Sequence, residues 1–146
     1  MKITFCGHKD VHDRDGVKRW LQDVCRELIQ QGAVEFYLGG YGGFDRFALR
    51  CGRLYQATHP QVKLLFVSPY LTESYQQNRL KVMEADYDGI IYPPLEQIPP
   101  RFAISHRNRW MAERADWVVA YVKRSFGGAY QTLEHAKRRQ KQIWNL

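Results

Sequence analysis

The segment that decides the fold is AVEFYLGGYGGFDRFALRCGRLY, residues 33–55. Its first six residues predict a buried strand, and four glycines follow within residues 39–43. Apolar side chains then recur at steps of three and four, which predicts a helix that begins at about Gly43. These side chains are Phe44, Phe47, Ala48, Cys51 and Tyr55. A strand that leads through a short turn into a helix is the repeating unit of α/β folds.

The same alternation of strand and helix extends from this segment in both directions. Strands are predicted at residues 2–7, 33–38, 62–70, 88–93 and 117–122, with a short last strand at 142–146. Helices are predicted between them, and the least distinct covers residues 76–84. We therefore predict an α/β fold, a Rossmann-like parallel sheet of five to six strands with helices on both faces. Residues 1–146 are expected to form a single domain, because no linker or repeat interrupts the pattern.

The composition is ordinary for a soluble globular protein, with 45% hydrophobic residues among 146. The longest wholly apolar run, residues 117–122, is far too short to span a bilayer. The N-terminus lacks the pattern of a signal peptide, so we predict a cytoplasmic protein with no membrane partner. Cys6, Cys25 and Cys51 are expected to be buried as small hydrophobic residues in a reducing compartment.

The chain is basic, with a net charge of +7 and a pI near 9.5. This charge favours anionic partners but does not choose among nucleotides, RNA and DNA. Much of the excess lies in HAKRRQKQ, residues 135–142, and such a run is usually a solvated helix face.

Glycines follow three of the predicted strands at their carboxyl ends, where open α/β sheets bind ligands. They are Gly7 before His8, then Gly39, Gly40, Gly42 and Gly43, and finally Gly127 and Gly128. The last two groups lead directly into helices, whose unpaired N–H groups and positive dipole ends attract phosphate. The alternative is that these glycines only form tight turns that need a positive φ.

Other polar residues are expected beside the same strand ends. Phe44 and Asp45 open one glycine-led helix, and Ala129 and Thr132 lie in the first turns of the other. Arg107 and Asn108 lie near the start of the preceding helix, where a guanidinium can bind phosphate. Each has an ordinary alternative, because Arg107 can be a surface arginine and Asp45 can simply favour the helix dipole.

Glu134 lies on the second turn of the last helix, where it can handle a sugar hydroxyl or a proton, or simply face solvent. Neither the dinucleotide fingerprint G-x-G-x-x-G nor the phosphate loop G-x-x-x-x-G-K-[ST] is present. His8 and His12 have no carboxylate or cysteine at ligand spacing, so no metal site is predicted, and no cofactor is expected.

Four motifs in order resemble the SLOG superfamily of Rossmann-like nucleotide-binding proteins, and its YpsA-like branch most closely. FCGHK resembles its first-strand motif, and GGYGGFDRFA resembles its glycine-rich motif. RNRWM and, further on, GGAYQT resemble its third and fourth blocks. The resemblance covers almost the whole chain, and it implies that the glycines and their neighbours named above bind a nucleotide.

The LOG phosphoribohydrolases and the DNA-processing protein DprA resemble the chain less closely. Gly127, Gly128 and Glu134 match the LOG signature P-G-G-x-G-T-x-x-E, and Arg107 and Met111 match its R-K-x-x-M. This resemblance implies that Arg107 and Glu134 are catalytic and cleave the N-glycosidic bond of a nucleoside 5′-monophosphate.

Three functions are therefore predicted, of which the binding of a small-molecule nucleotide or a nucleotide-derived signal is favoured. The alternatives are the phosphoribohydrolase and a nucleic-acid-binding accessory protein that uses the basic helix at residues 135–141. Members of the superfamily are often dimers, so a homodimer is left open.

Overall fold

Six parallel strands form one sheet in the computed structural model, which describes residues 1–146. The strands are β1 (Lys2–Gly7), β2 (Glu35–Leu38), β3 (Lys63–Val67), β4 (Gly89–Ile91), β5 (Trp117–Tyr121) and β6 (Gln142–Asn145). Their order in the sheet is β4-β3-β2-β1-β5-β6, and every neighbouring pair is parallel. The predicted α/β class and the parallel Rossmann-like sheet are confirmed.

The helices cover both faces of this sheet. They are α1 (Arg14–Gln30), α2 (Gly43–Gln56), α3 (Glu73–Tyr75), a π-helix (Gln76–Leu80), α4 (Lys81–Asp86), α5 (Pro100–Arg114) and α6 (Gly128–Arg138). None of them combines the length and the apolar composition that crossing a bilayer requires. The stretch predicted as one helix at residues 76–84 is helical from Glu73 to Asp86, with the π-helix in its middle.

Two predicted strands are shorter than expected, and prolines explain where they end. The strand predicted at 62–70 ends at Val67, two residues before Pro69, and that predicted at 88–93 ends at Ile91, two before Pro93. Proline has no N–H to donate to a sheet and restricts the residue before it.

Alternating side chains of the strands divide the core between the two faces of the sheet. On one face, Phe5 of β1 packs with the apolar stripes of α1 and α2. On the other face, Cys6 of β1 packs with Leu133 of α6 and Val118 of β5. Burying each large apolar side chain stabilises the fold by about 1.5–3 kcal/mol. All three cysteines are free and buried, as predicted.

The strand order determines where a ligand can bind. From β1 the chain builds outward through β2, β3 and β4, and then returns to place β5 on the other side of β1. Strand β1 is therefore flanked by the two strands that lead into α2 and α6. At such a reversal the connections diverge and leave a crevice outside the carboxyl ends of the strands.

Candidate functional site

A cavity of about 130 Å³ lies at the carboxyl end of β1, and we call it the inner cavity. Its floor is β1, and its walls come from the start of α2, from α5 and from the start of α6. Seven residues that the sequence predicted for a nucleotide site line it: Gly7, Asp45, Arg107, Asn108, Gly128, Ala129 and Thr132. The fold therefore brings residues from four separate parts of the chain into one small space.

The N-terminus of α6 is open to this cavity. Gly127 precedes the helix with a φ of 92°, and no side chain caps the helix. The amides of Gly128, Ala129 and Tyr130 make no hydrogen bond within the protein, whereas that of Gln131 donates to Gly127. A Cβ placed on Gly128 would meet no atom within 4 Å. The helix thus begins with three unbonded N–H groups, and its first two residues, at the positive end of the helix dipole, line the cavity.

The N-terminus of α2 is closed, although its sequence is just as rich in glycine. The amide of Gly43 donates to the carbonyl of Lys9 at 2.7 Å, and that of Phe44 donates to the carbonyl of His8 at 3.4 Å. A Cβ on Gly43 would lie 2.6 Å from the Lys9 carbonyl oxygen, and one on Gly40 would lie 2.7 Å from the ring of Phe66. These glycines allow close packing and a positive φ at Gly40, so the tight-turn alternative holds here.

The prediction that phosphate binds the amides of residues 43 and 44 is corrected by these hydrogen bonds. Gly40 and Gly42 also do not line the inner cavity. They border a separate cavity of about 170 Å³ toward α4. The first two amides of α2 are therefore unavailable to a ligand, whereas the first three amides of α6 are unbonded.

Arg107 is held rigidly inside the protein, with only 2% of its surface exposed. Its Nη1 donates to the carbonyls of Gly39 at 3.0 Å and Val67 at 2.8 Å, and its Nε donates to Asn108 Oδ1 at 2.9 Å. Its Nη2 has no protein partner, and the side chain lines the cavity. Burial lowers the pKa of Arg107, an effect that the nearby carboxylate of Asp45 opposes. Arg107 is thus not a surface arginine.

Gly39 makes this arrangement of charges possible. A Cβ on Gly39 would lie 3.2 Å from Arg107 Cζ and Nη2 and 3.2 Å from Asp45 Oδ2. Its role is therefore to let these two side chains approach the end of β2. Gly39 supports the cavity without lining it.

Asp45 provides the only carboxylate of the inner cavity. Its Oδ2 accepts a hydrogen bond from the amide of Tyr41 at 3.2 Å, and its Oδ1 has no protein partner. Among side-chain polar atoms without a partner, only Nε1 of Trp110 is fully buried. Oδ1 of Asp45 also lacks a partner, so it is not fully buried and stays accessible. Burial raises the pKa of Asp45 to about 6, against the opposing effects of Arg107 and the Tyr41 amide. A carboxyl group in this state can accept or release a proton near neutral pH.

His8 and Glu134, like the glycines at residues 39–43, lie outside the inner cavity. His8 accepts a hydrogen bond at Nε2 from the amide of Lys123 at 2.8 Å, and burial together with Arg124 lowers its pKa. His8 therefore positions the loop before α6 as a neutral side chain. Glu134 pairs with Lys137 at 3.2 Å on the surface of α6. The catalytic role predicted for Glu134 has no geometric support, because this carboxylate does not reach the cavity.

A second cavity of about 250 Å³ adjoins the first, and we call it the outer cavity. The two cavities share Ile104, Asn108, Gly128 and Thr132 as lining residues. Arg101, Ser105, Arg109 and Gln131 complete the outer cavity. Neither Arg101 nor Arg109 was predicted as a site residue from the sequence. Arg101 and Arg109 are eight residues apart with Ser105 midway, which places all three on one face of α5. This spacing is the sequence signal that could have identified the two arginines.

Comparison with known proteins supports the fold. No family model matches the chain, and no curated protein matches it either. Among solved structures, DNA processing protein A (DprA) from Helicobacter pylori, described for its single-stranded DNA binding mode, aligns with a TM-score of 0.66 at 20% identity. DprA from Streptococcus pneumoniae gives 0.67 at 18% identity, and TM1055 gives 0.58 at 12% identity.

The alignments cover nearly all of this chain but only part of the others. They cover 99% of this chain and 64% and 49% of the two DprA chains, and 97% of this chain and 71% of TM1055. DprA is one of the proteins that the sequence motifs resemble, and the alignments show that this chain shares its fold. The YpsA-like branch stays a prediction.

Proposed function

We propose that this protein binds a nucleotide whose phosphate lies at the N-terminus of α6. The observation that carries the proposal is that one cavity is lined both by the first residues of α6, Gly128 and Ala129, whose amides are unbonded, and by the buried Arg107. Backbone amides at a helix start hydrogen-bond phosphate oxygens, and the helix dipole favours the negative charge. Because Arg107 is already fixed by two carbonyls, little side-chain entropy is lost when its free Nη2 binds an anion.

The same cavity also provides hydrogen-bond acceptors for a sugar. The unbonded Oδ1 of Asp45 repels phosphate but accepts a hydrogen bond from a hydroxyl group. A space of about 130 Å³ corresponds to only about four water molecules of liquid volume. We therefore place the phosphate and part of the ribose in the inner cavity, with the base outside it.

Calorimetric titration with AMP tests this proposal. The wild-type protein is expected to bind AMP, and Gly128→Val is expected to abolish binding, because the added side chain occupies the space in front of the free amides. Glu134→Gln is the matched control on the same helix, since Glu134 lies outside both cavities. Absence of AMP binding by the wild-type protein at millimolar concentrations, or undiminished binding by Gly128→Val, would refute the proposal.

Single-stranded nucleic acid is the second candidate ligand. It is favoured by the fold shared with DprA and by two exposed arginines, Arg101 and Arg109, beside the open helix end. Binding of a twelve-nucleotide oligothymidylate should then weaken steeply as salt rises, because phosphate neutralisation releases counterions. Binding that is insensitive to salt would exclude this candidate.

The phosphoribohydrolase alternative is not proposed, because its predicted carboxylate at Glu134 pairs with Lys137 outside the cavity. The cytoplasmic location and the homodimer stay predictions.

A further inference from the structure

The open end of α6 lies at the junction of the two cavities. Gly128 and Thr132 line both of them, and so does Asn108 of α5. A phosphate bound to the amides of residues 128–130 would therefore have free space on two sides. One side leads inward along β1, and the other leads outward between α5 and α6.

The two sides differ in charge. The inner cavity contains the carboxylate of Asp45, which opposes a second negative group there. The outer cavity contains Arg101 and Arg109 and no carboxylate. An additional anionic group is therefore favoured only on the outer side.

Arg101 and Arg109 are also available for binding. Neither forms an ion pair or a hydrogen bond with the protein, and the Cζ of Arg101 lies 4.9 Å from the centre of the Phe102 ring. Both guanidinium groups therefore keep their donors free, unlike that of Arg26, which pairs with Asp23. The two arginines lie about 12 Å apart along α5 at 1.5 Å per residue, so their long side chains can both reach a group held above Ser105.

We propose that the ligand carries a second phosphate, which binds in the outer cavity between Arg101 and Arg109. The inference rests on the proposed nucleotide function and adds the class of ligand, a nucleotide with two phosphate groups. The first phosphate lies at α6, the sugar extends toward Asp45, and the second phosphate extends toward the arginines. A guanidinium binds phosphate through paired donors, which makes both arginines effective ligands.

Titrations at one fixed ionic strength with AMP, ADP and the 5′-phosphorylated dinucleotide pApA test the inference. ADP carries two directly linked phosphates, whereas pApA carries two phosphates separated by a nucleoside. Comparing the two ligands therefore distinguishes a pyrophosphate from a nucleic-acid backbone as the source of the second phosphate. We expect at least one of them to bind the wild-type protein about tenfold more tightly than AMP, the size typical of a charge-assisted hydrogen bond. The double variant Arg101→Ala/Arg109→Ala should lose this preference and retain AMP binding. Arg114→Ala, an exposed arginine of the same helix outside both cavities, should retain the preference.

Every other result contradicts the inference, and each result shows which hypothesis fails. Equal affinities for AMP, ADP and pApA leave the nucleotide site standing but exclude a second phosphate subsite. The same holds if the double variant keeps the preference, or if Arg114→Ala removes it equally. If no nucleotide binds the wild-type protein, the proposed function and the inference both fail. Binding of a twelve-nucleotide oligothymidylate without any binding of AMP or ADP would assign the arginines to nucleic acid instead.

Discussion

The starts of α2 and α6 have similar sequences and opposite structures. Both helices follow a strand of the same sheet, and both are preceded by a glycine with φ near 90°. At α2 the first amides donate to the carbonyls of Lys9 and His8, and the glycines are covered by neighbouring atoms. At α6 the first amides are free, and a Cβ on Gly128 would enter empty space.

The difference shows that a glycine-rich helix start is not by itself a phosphate site. At α2 the loop after β1 occupies the position that a ligand would need. At α6 no carbonyl of a neighbouring loop accepts a hydrogen bond from the first three amides. The α2 side instead contributes Asp45 to the cavity and, through the carbonyl of Gly39, helps to fix Arg107. One start supports the site, and the other is proposed to bind the ligand.

The largest loss of stability is expected from Arg107→Met. This substitution removes the side chain that binds the Gly39 carbonyl before α2 and also lines the cavity at the start of α6. It leaves the carbonyls of Gly39 and Val67 without their donor in a buried environment. Each unsatisfied buried carbonyl is destabilising by about 1–3 kcal/mol, so we expect the free energy of unfolding to fall by about 2–5 kcal/mol. Urea denaturation measures it. Arg114→Met is the exposed control, expected to change stability by at most about 1 kcal/mol; equal stability of the two variants would contradict the account.

A pair of identical substitutions compares the two starts directly. Gly43→Ala places a Cβ 2.6 Å from a backbone oxygen, which cannot move aside as a side chain can, so a loss of about 1–3 kcal/mol is expected. Gly128→Ala meets nothing, and the smaller entropy of the unfolded chain should stabilise the protein by about 0.4–1 kcal/mol. Denaturation of both variants should therefore give changes of opposite sign. A loss of stability of the same size at both positions would contradict the description of α6 as open.

A further effect concerns Asp45, whose contribution to stability depends on pH. Its folded-state pKa of about 6 lies above the ordinary value of 3.8, so the folded protein binds more protons than the unfolded chain between these values. Stability from this group is therefore present at low pH and is lost as pH rises from about 4 to above 6. Asp45→Asn should be more stable than the wild type at pH 8 by about 1–2 kcal/mol, allowing for partial screening by solvent.

The two proteins should converge in stability near pH 4, where Asp45 is protonated in the folded state. Thermal denaturation at both pH values provides the comparison. An Asp45→Asn variant that is less stable than the wild type at pH 8 would show that burial does not oppose the charge of this carboxyl group.

The sheet could be predicted from the sequence because apolar runs and helical periodicity are local signals. The predicted ends of β3 and β4 were less accurate. These strands end at Val67 and Ile91, and the position of each end depends on how far the strand pairs with its neighbour before a proline interrupts the pairing. The positions of the glycine-led helix starts were also local signals, and α2 and α6 begin at Gly43 and Gly128.

Whether the first amides of each helix are hydrogen-bonded or free could not be predicted from local sequence. The groups that close α2 are the carbonyls of residues 8 and 9, more than thirty positions away in the sequence. Arg107 lies among Arg101, Arg109 and Arg114, and only the packing of α5 against the sheet distinguishes the buried one. Glu134 matched a known signature by spacing, but its helix directs it to the surface.

Nitrogen-15 chemical-shift mapping of the backbone amides during titration with AMP tests the central claim most directly. We expect the largest shifts at the amides of Gly128, Ala129 and Tyr130, while those of Gly43 and Phe44 stay in place because they are already hydrogen-bonded. Shifts concentrated at residues 43 and 44, or no shifts at residues 128–130 at saturating AMP, would contradict it.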